Sequence, residues 1–217
     1  MQQANRSGVM TLFSGPACPQ CHRVRFVLAE KGVNHAVEDL GISPDAALLD
    51  GLNPYSQLPT LVDRELLLYG SNVILEYVDE RYPHPPLMPV DPIERARTRL
   101  LLLRIDRDWS PLLQEIDTGS AGSARSAAGK AAERARGELQ EGVAALAGML
   151  GRHGYLLGDD LSMADCALAP YLWRLPILGV KLSGKRGESM RSYGERLFSR
   201  PAFRASLSDY EQRVYGH

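Results

Sequence analysis

Short apolar runs and helix-spaced apolar stripes alternate through the first third of the chain. Val9, Met10, Leu12 and Phe13 form a run closed by Ser14-Gly15-Pro16, which reads as a buried strand entering a turn. Over residues 20–31, Val24, Val27 and Leu28 recur at helical spacing, and Gly32 supplies the stop. Residues 35–39 read as a second strand, and a helix through Ala46, Leu48 and Leu49 ends near Asn53-Pro54. Residues 60–63 and 66–69 predict an antiparallel hairpin with Arg64-Glu65 at its turn. Ser71 is placed to cap a helix reaching Arg81, with Val73, Ile74, Tyr77 and Val78 on one face. A parallel crossover, a hairpin and a closing helix make an α/β layer of about 80 residues.

Four prolines, at 83, 85, 86 and 89, break the pattern, because proline sustains neither a helix interior nor a central strand. Beyond them strand signals vanish. Residues 93–117 and the Ala-rich residues 123–150 predict long helices, with a loop over residues 118–123 between them. Ser162 and Asp165 predict a capped third helix, and residues 187–198 and 201–214 complete a bundle. The predicted organisation is an α/β domain over residues 8–82, a Pro-rich linker over 83–92 and an all-helical domain over 93–217.

Composition narrows the classes without choosing among them. In 217 residues, 25 basic and 26 acidic side chains give a formal charge of −1, so bulk attraction to nucleic acid or an anionic membrane is not expected. No run reaches the roughly 18 apolar residues of a membrane helix. Residues 1–10 are polar, and three cysteines are too few for a disulfide-stapled fold. The expectation is a soluble, cytoplasmic protein.

The element order, with Leu58-Pro59-Thr60 before the third strand and Ser162 to Asp165 opening a central helix, resembles the glutathione S-transferase fold. The implied fold class is a thioredoxin-like α/β N-terminal domain followed by an all-α C-terminal domain. In that family the bond before this proline is normally cis, and Leu58, Pro59 and Ser71 fall where glutathione is held. A narrower resemblance, to the stringent starvation protein A family, is carried by residues 10–16 (MTLFSGP), 27–32 (VLAEKG), 58–65 (LPTLVDRE) and 79–90 (DERYPHPPLMPV). Residues 104–109 (RIDRDW) and 168–176 (LAPYLWRLP) extend it into the second half. It implies a homodimeric transcription regulator that binds RNA polymerase holoenzyme and acts through the housekeeping sigma factor in starvation, stationary phase and stress. The contact surface it implies is Tyr82, Pro83, His84, Pro85 and Pro86. Members generally lack conjugating activity, so no cofactor is required, no sequence-specific nucleic-acid contact is expected, and glutathione is optional.

Cys18-Pro19-Gln20-Cys21 is the chemical motif in plain view. At a helix start the dipole and unpaired amides favour a Cys18 thiolate, and Cys21 is placed to resolve a mixed disulfide. The motif is similar to the active site of glutaredoxins, and makes a glutathione-dependent thiol–disulfide oxidoreductase or transferase using Cys18 the alternative function. Two small residues filling a helix start is the plainer alternative. With His22 the motif also spells the C-x-x-C-H haem signature, which requires export, and zinc would need ligands beyond His35, so no metal is expected. Gly70 precedes Ser71 where the transferase family usually carries Glu, which weakens a glutathione site, and Ser71 as a simple N-cap remains an alternative. Trp109, Trp173 and Cys166 are read as core, and Arg95, Arg97, Arg99, Arg104 and Arg107 as solvated helix faces.

Overall fold

Strand β1 (Met10–Ser14) forms where side chains alternate between a buried and a half-buried face, with Met10, Leu12 and Ser14 inward. It begins one residue later than the apolar run suggests. The computed structural model describes residues 9–42, 49–120, 123, 126–150 and 153–215. These fall into two compact units, Met1–Met88 with Arg200–His217, and Pro89–Ser199.

In the first unit β1 is followed by α1 (Pro19–Glu30), β2 (His35–Asp39), β3 (Thr60–Asp63), β4 (Leu66–Tyr69) and α2 (Ser71–Arg81). The sheet order is β2-β1-β3-β4. β1 runs parallel to β2, with Leu12 opposite Val37, and antiparallel to β3, with Leu12 opposite Leu61. The β3–β4 hairpin turns at Arg64-Glu65 as expected. Of the helix expected through Ala46, Leu48 and Leu49, residues 43–48 lie outside the described residues; residues 49–50 are helical, and the chain turns by Asn53, whose amide donates to the Leu49 carbonyl, close to the expected end at Asn53-Pro54. Helix α1 ends where Gly32 takes a φ of 61°. There the Val33 amide donates to Leu28 and the Gly32 amide to Ala29, a Schellman stop that a side chain at Gly32 would strain.

Both faces of α1 are covered. Cys21, His22, Arg23, Val24, Arg25, Phe26, Val27 and Leu28 are all buried, far more than the three-residue apolar stripe indicated. The polar members among them therefore need partners inside the protein.

The second unit opens with α3 (Pro92–Arg104), whose N-cap Asp91 accepts from the Ile93 and Glu94 amides at 2.9 and 3.0 Å. Pro92 thus begins the helix instead of closing the linker, because its missing amide costs nothing in the first turn. A π-helical turn, Ile105–Trp109, turns Ile105 and Trp109 inward and leads into α4 (Ser110–Ser120). Thr118, Gly119 and Ser120 continue α4 where a loop was expected. A Cβ at Gly119 would lie 2.5 Å from the Ala128 carbonyl oxygen, so glycine lets this turn close onto α5 (Ala127–Leu150). Helices α6 (Met163–Arg174) and α7 (Gly184–Phe198) complete the unit.

Asp165 heads α6 fully buried and accepts from the Leu156 amide, the Ser162 amide and hydroxyl, and the Tyr193 hydroxyl. Burial, and then this carboxylate, pushes the Tyr193 phenol well above its ordinary range. Trp109 is core, set edge-on to Tyr171, whereas Trp173 is half-buried against Phe198.

The last two helices, α8 (Pro201–Ala205) and α9 (Asp209–Tyr215), group with the sheet, although in sequence they follow the bundle. They attach to α1 through the buried Phe203, set edge-on to Phe26, and through a set of polar contacts beneath the cysteine motif. Among the described residues, no helix is long and apolar enough to cross a membrane.

Candidate functional site

Cys18 is the N-cap of α1, with extended backbone (φ −82°, ψ 116°) and Pro19 in the first turn. Its half-exposed Sγ accepts the Cys21 amide at 3.2 Å, the capping geometry that stabilises a thiolate. Cys21 faces inward and is fully buried, and its Sγ accepts the Gly15 amide at 3.4 Å. Burial pushes the Cys21 thiol well above its usual range; the adjacent Cys18 adds to that, and the Gly15 amide and the Arg25 charge oppose it. The two sulfurs are therefore unequal: Cys18 caps the helix and donates to Gln20 Oε1 at 3.6 Å, while burial holds Cys21 protonated. Both are free thiols, as is the buried Cys166.

Below the motif lies a charge network. Glu211 of α9, fully buried, accepts from Arg25 Nη2 at 2.6 Å and stands 3.3 Å from His22 Nδ1. Arg25 Nε donates to the Ser206 carbonyl at 2.8 Å, and Nη1 donates to the Ser14 hydroxyl. His22 Nε2 meets Ser206 Oγ at 3.0 Å, and its ring packs on Phe203. The Ser208 hydroxyl donates to the Pro16 carbonyl at 2.9 Å, tying the turn before Cys18 to the C-terminal segment. His22 is thus engaged on both nitrogens, which removes the ring that the haem signature needs. His35 Nδ1 is turned to the Val33 carbonyl, and no cluster of metal-holding side chains occurs among the described residues.

The other residues the sequence singled out divide. Leu58 comes to the cysteine turn: a Cβ at Gly15 would lie 3.4 Å from Cys18 Cβ and 3.6 Å from Leu58 Cδ1. The Leu58–Pro59 bond is cis. Ser71 is not the N-cap. Gly70 takes that position at a φ of 80°, a conformation open to glycine, so the chain turns one residue earlier and the buried Ser71 becomes the first helical residue.

Pro83, His84, Pro85 and Pro86 are all exposed, Tyr82 is half-buried, and the Arg81 guanidinium lies 5.8 Å from the Tyr82 ring centre. The segment follows α2 and is anchored downstream by Leu87 and Met88, which are buried. Beneath it lies an ion pair that sequence reasoning missed, between Lys31, the C-cap of α1, and Asp79 of α2. Lys31 Nζ donates to Asp79 Oδ1 at 2.6 Å and also to the Pro85 carbonyl oxygen. Asp79 further accepts the Leu87 and Met88 amides at 2.9 and 3.1 Å. The cysteine motif and this segment thus meet opposite ends of α1, about 18 Å apart at 1.5 Å per residue. They form two sites. Of the arginines, Arg97 pairs with Glu94 and Arg104 with Asp108, both exposed, while Arg95 reaches the Pro89 carbonyl.

Comparison with known proteins agrees with this architecture. Residues 17–81 match the family described as glutathione S-transferase, N-terminal domain, and residues 129–192 the corresponding C-terminal domain. A stringent starvation protein A homolog of Histophilus somni is 43% identical over 206 residues, covering 95% of this chain and 93% of its own. That of Coxiella burnetii is 43% identical over 209 residues, covering 96% of each. Among solved structures, Ure2p in complex with glutathione superposes with a TM-score of 0.82 at 20% identity, covering 95% of this chain and 96% of its own, a likeness of fold alone. The identity shared with the curated relatives runs through both units, and this chain belongs to the stringent starvation protein A homologues, on the glutathione S-transferase fold.

Proposed function

We propose that this chain is a cytoplasmic transcription regulator that binds RNA polymerase holoenzyme, acts through the housekeeping sigma factor in starvation, stationary phase and stress, and requires neither catalysis nor a cofactor. The observation that carries the reading is the Tyr82–Pro86 segment. Four consecutive residues, 83–86, are exposed, yet the backbone is pinned from beneath within the run at Pro85 and just after it at Leu87 and Met88. A surface fixed before binding loses little freedom on docking, and three proline rings with one imidazole suit an aromatic or acidic pocket. The name shared by the curated relatives points the same way.

The acting form is a homodimer. On α3, Ile93, Ala96, Leu100 and Leu103 are exposed at helical spacing along one face, an apolar stripe that a second copy would cover. The reading is tested by titrating holoenzyme with the protein and with the Pro83→Ala/His84→Ala/Pro85→Ala variant. Saturable binding that the variant weakens at least tenfold supports it. Equal binding by both overturns it.

One observation favours a second activity. Cys18 caps its helix and accepts the Cys21 amide, the arrangement of a nucleophilic thiol with a resolving partner. In that reading Cys18 carries out glutathione-dependent thiol–disulfide exchange or group transfer, with Leu58, Pro59 and Ser71 lining the glutathione position.

A further inference from the structure

Lys31 and Asp79 are distant in sequence from each other and set back from the exposed residues, yet every described polar tie beneath the Pro-His-Pro segment passes through them. The Lys31 side chain is fully buried and that of Asp79 is 9% exposed. Burying such a pair is costly, and a hydrophobic pair of similar volume commonly serves stability as well or better. An ion pair kept there therefore calls for a reason beyond folding, and the hydrogen bonds supply one. Lysine carries three donors and no acceptor, whereas a carboxylate accepts at both oxygens. Lys31 spends one donor on Asp79 and one on the Pro85 carbonyl, while Asp79 receives the amides of Leu87 and Met88. The pair thus grips the chain within the exposed run and immediately after it. Proline has no amide to donate, so a run of prolines has few backbone bonds of its own with which to hold a shape.

We infer that Lys31 and Asp79 are positioning residues for polymerase recognition: they touch no partner and fix the geometry in which His84 and its flanking prolines are presented. The inference rests on the proposed polymerase-binding role of that segment. It also gives the C-terminal end of α1 a task independent of the cysteines at its other end.

The test uses the full-length dimer and the double variant Lys31→Met/Asp79→Asn, which removes both charges together and leaves no buried charge alone. Thermal melting and light scattering establish that it folds and pairs. Two readouts follow: holoenzyme affinity, and the backbone amide resonances of His84, Leu87 and Met88. The expected result is at least tenfold weaker binding with His84 still in place, accompanied by shifted or broadened resonances at those three residues only. Lys31→Arg, which keeps the donors, should stay within about threefold of wild type. If the double variant does not fold, Lys31→Met/Asp79→Leu, an apolar pair that likewise leaves no buried charge alone, replaces it under the same criteria. Wild-type affinity in the brace variant, or weakened affinity with unmoved resonances, overturns the inference. The Pro83→Ala/His84→Ala/Pro85→Ala variant separates the two claims: if it binds normally, the polymerase-binding reading itself has failed.

Discussion

At the scale of single residues, the environment of each cysteine decides what it can do. Cys18 is a helix cap with a half-exposed sulfur, Cys21 a buried thiol held protonated, and Cys166 a core residue. At mildly acidic pH, iodoacetamide followed by mass mapping should therefore label Cys18 well before the other two. Equal labelling of all three would remove the case for thiol chemistry. Glu211 makes the opposite kind of contribution, to stability. It holds the buried Arg25 guanidinium and approaches His22, so Glu211→Gln leaves a buried cation without its counter-charge. Losing one partner of such a pair costs about 3 kcal/mol or more. For a chain of this size that lowers Tm by about 6–12 °C. A calorimetric shift below about 2 °C would show that the network is slack. The roles of Cys18 and Cys166 could be read from the sequence, but the Glu211 contact could not, because Glu211 lies 186 residues from Arg25 and looks in sequence like any polar position on a short helix.

Elements were far more legible than the contacts between them. The apolar run of β1, the Arg64-Glu65 turn, the Gly32 stop and the Ser162–Asp165 box are local signals, and each sits within a residue or two of its predicted place. The misplaced features trace to tertiary partners or, at Gly70, to backbone freedom. Thr118 to Ser120 stay helical because α5 packs against Gly119. Gly70 displaces Ser71 at the start of α2 because it can adopt a positive φ. Helices α8 and α9 follow the bundle in sequence but attach to the sheet unit through a single buried ring, Phe203, and through Ser206, Ser208 and Glu211, too short an apolar pattern to announce the contact. The same holds for the candidate sites. The motifs at 18–21 and 82–86 could be read directly, while their supports, Arg25 and Glu211 for one and Lys31 and Asp79 for the other, become visible only in three dimensions.

At the scale of the whole molecule, the proposed function places a binding protein on the glutathione S-transferase fold. The proposed homodimer would cover the exposed stripe of Ile93, Ala96, Leu100 and Leu103, and light scattering at micromolar concentration should then give close to twice the 23.9 kDa chain mass. A monomeric mass would leave that stripe unexplained. The two candidate sites at opposite ends of α1 make different demands on one experiment, and this experiment addresses the central claim most directly. Holoenzyme is titrated in parallel with wild type, Pro83→Ala/His84→Ala/Pro85→Ala and Cys18→Ser. The triple variant, folded and dimeric, is expected to bind at least tenfold more weakly, a loss of about 1.4 kcal/mol, while Cys18→Ser binds as wild type does. A silent triple variant together with abolished binding by Cys18→Ser would contradict the account and place the function at the thiol.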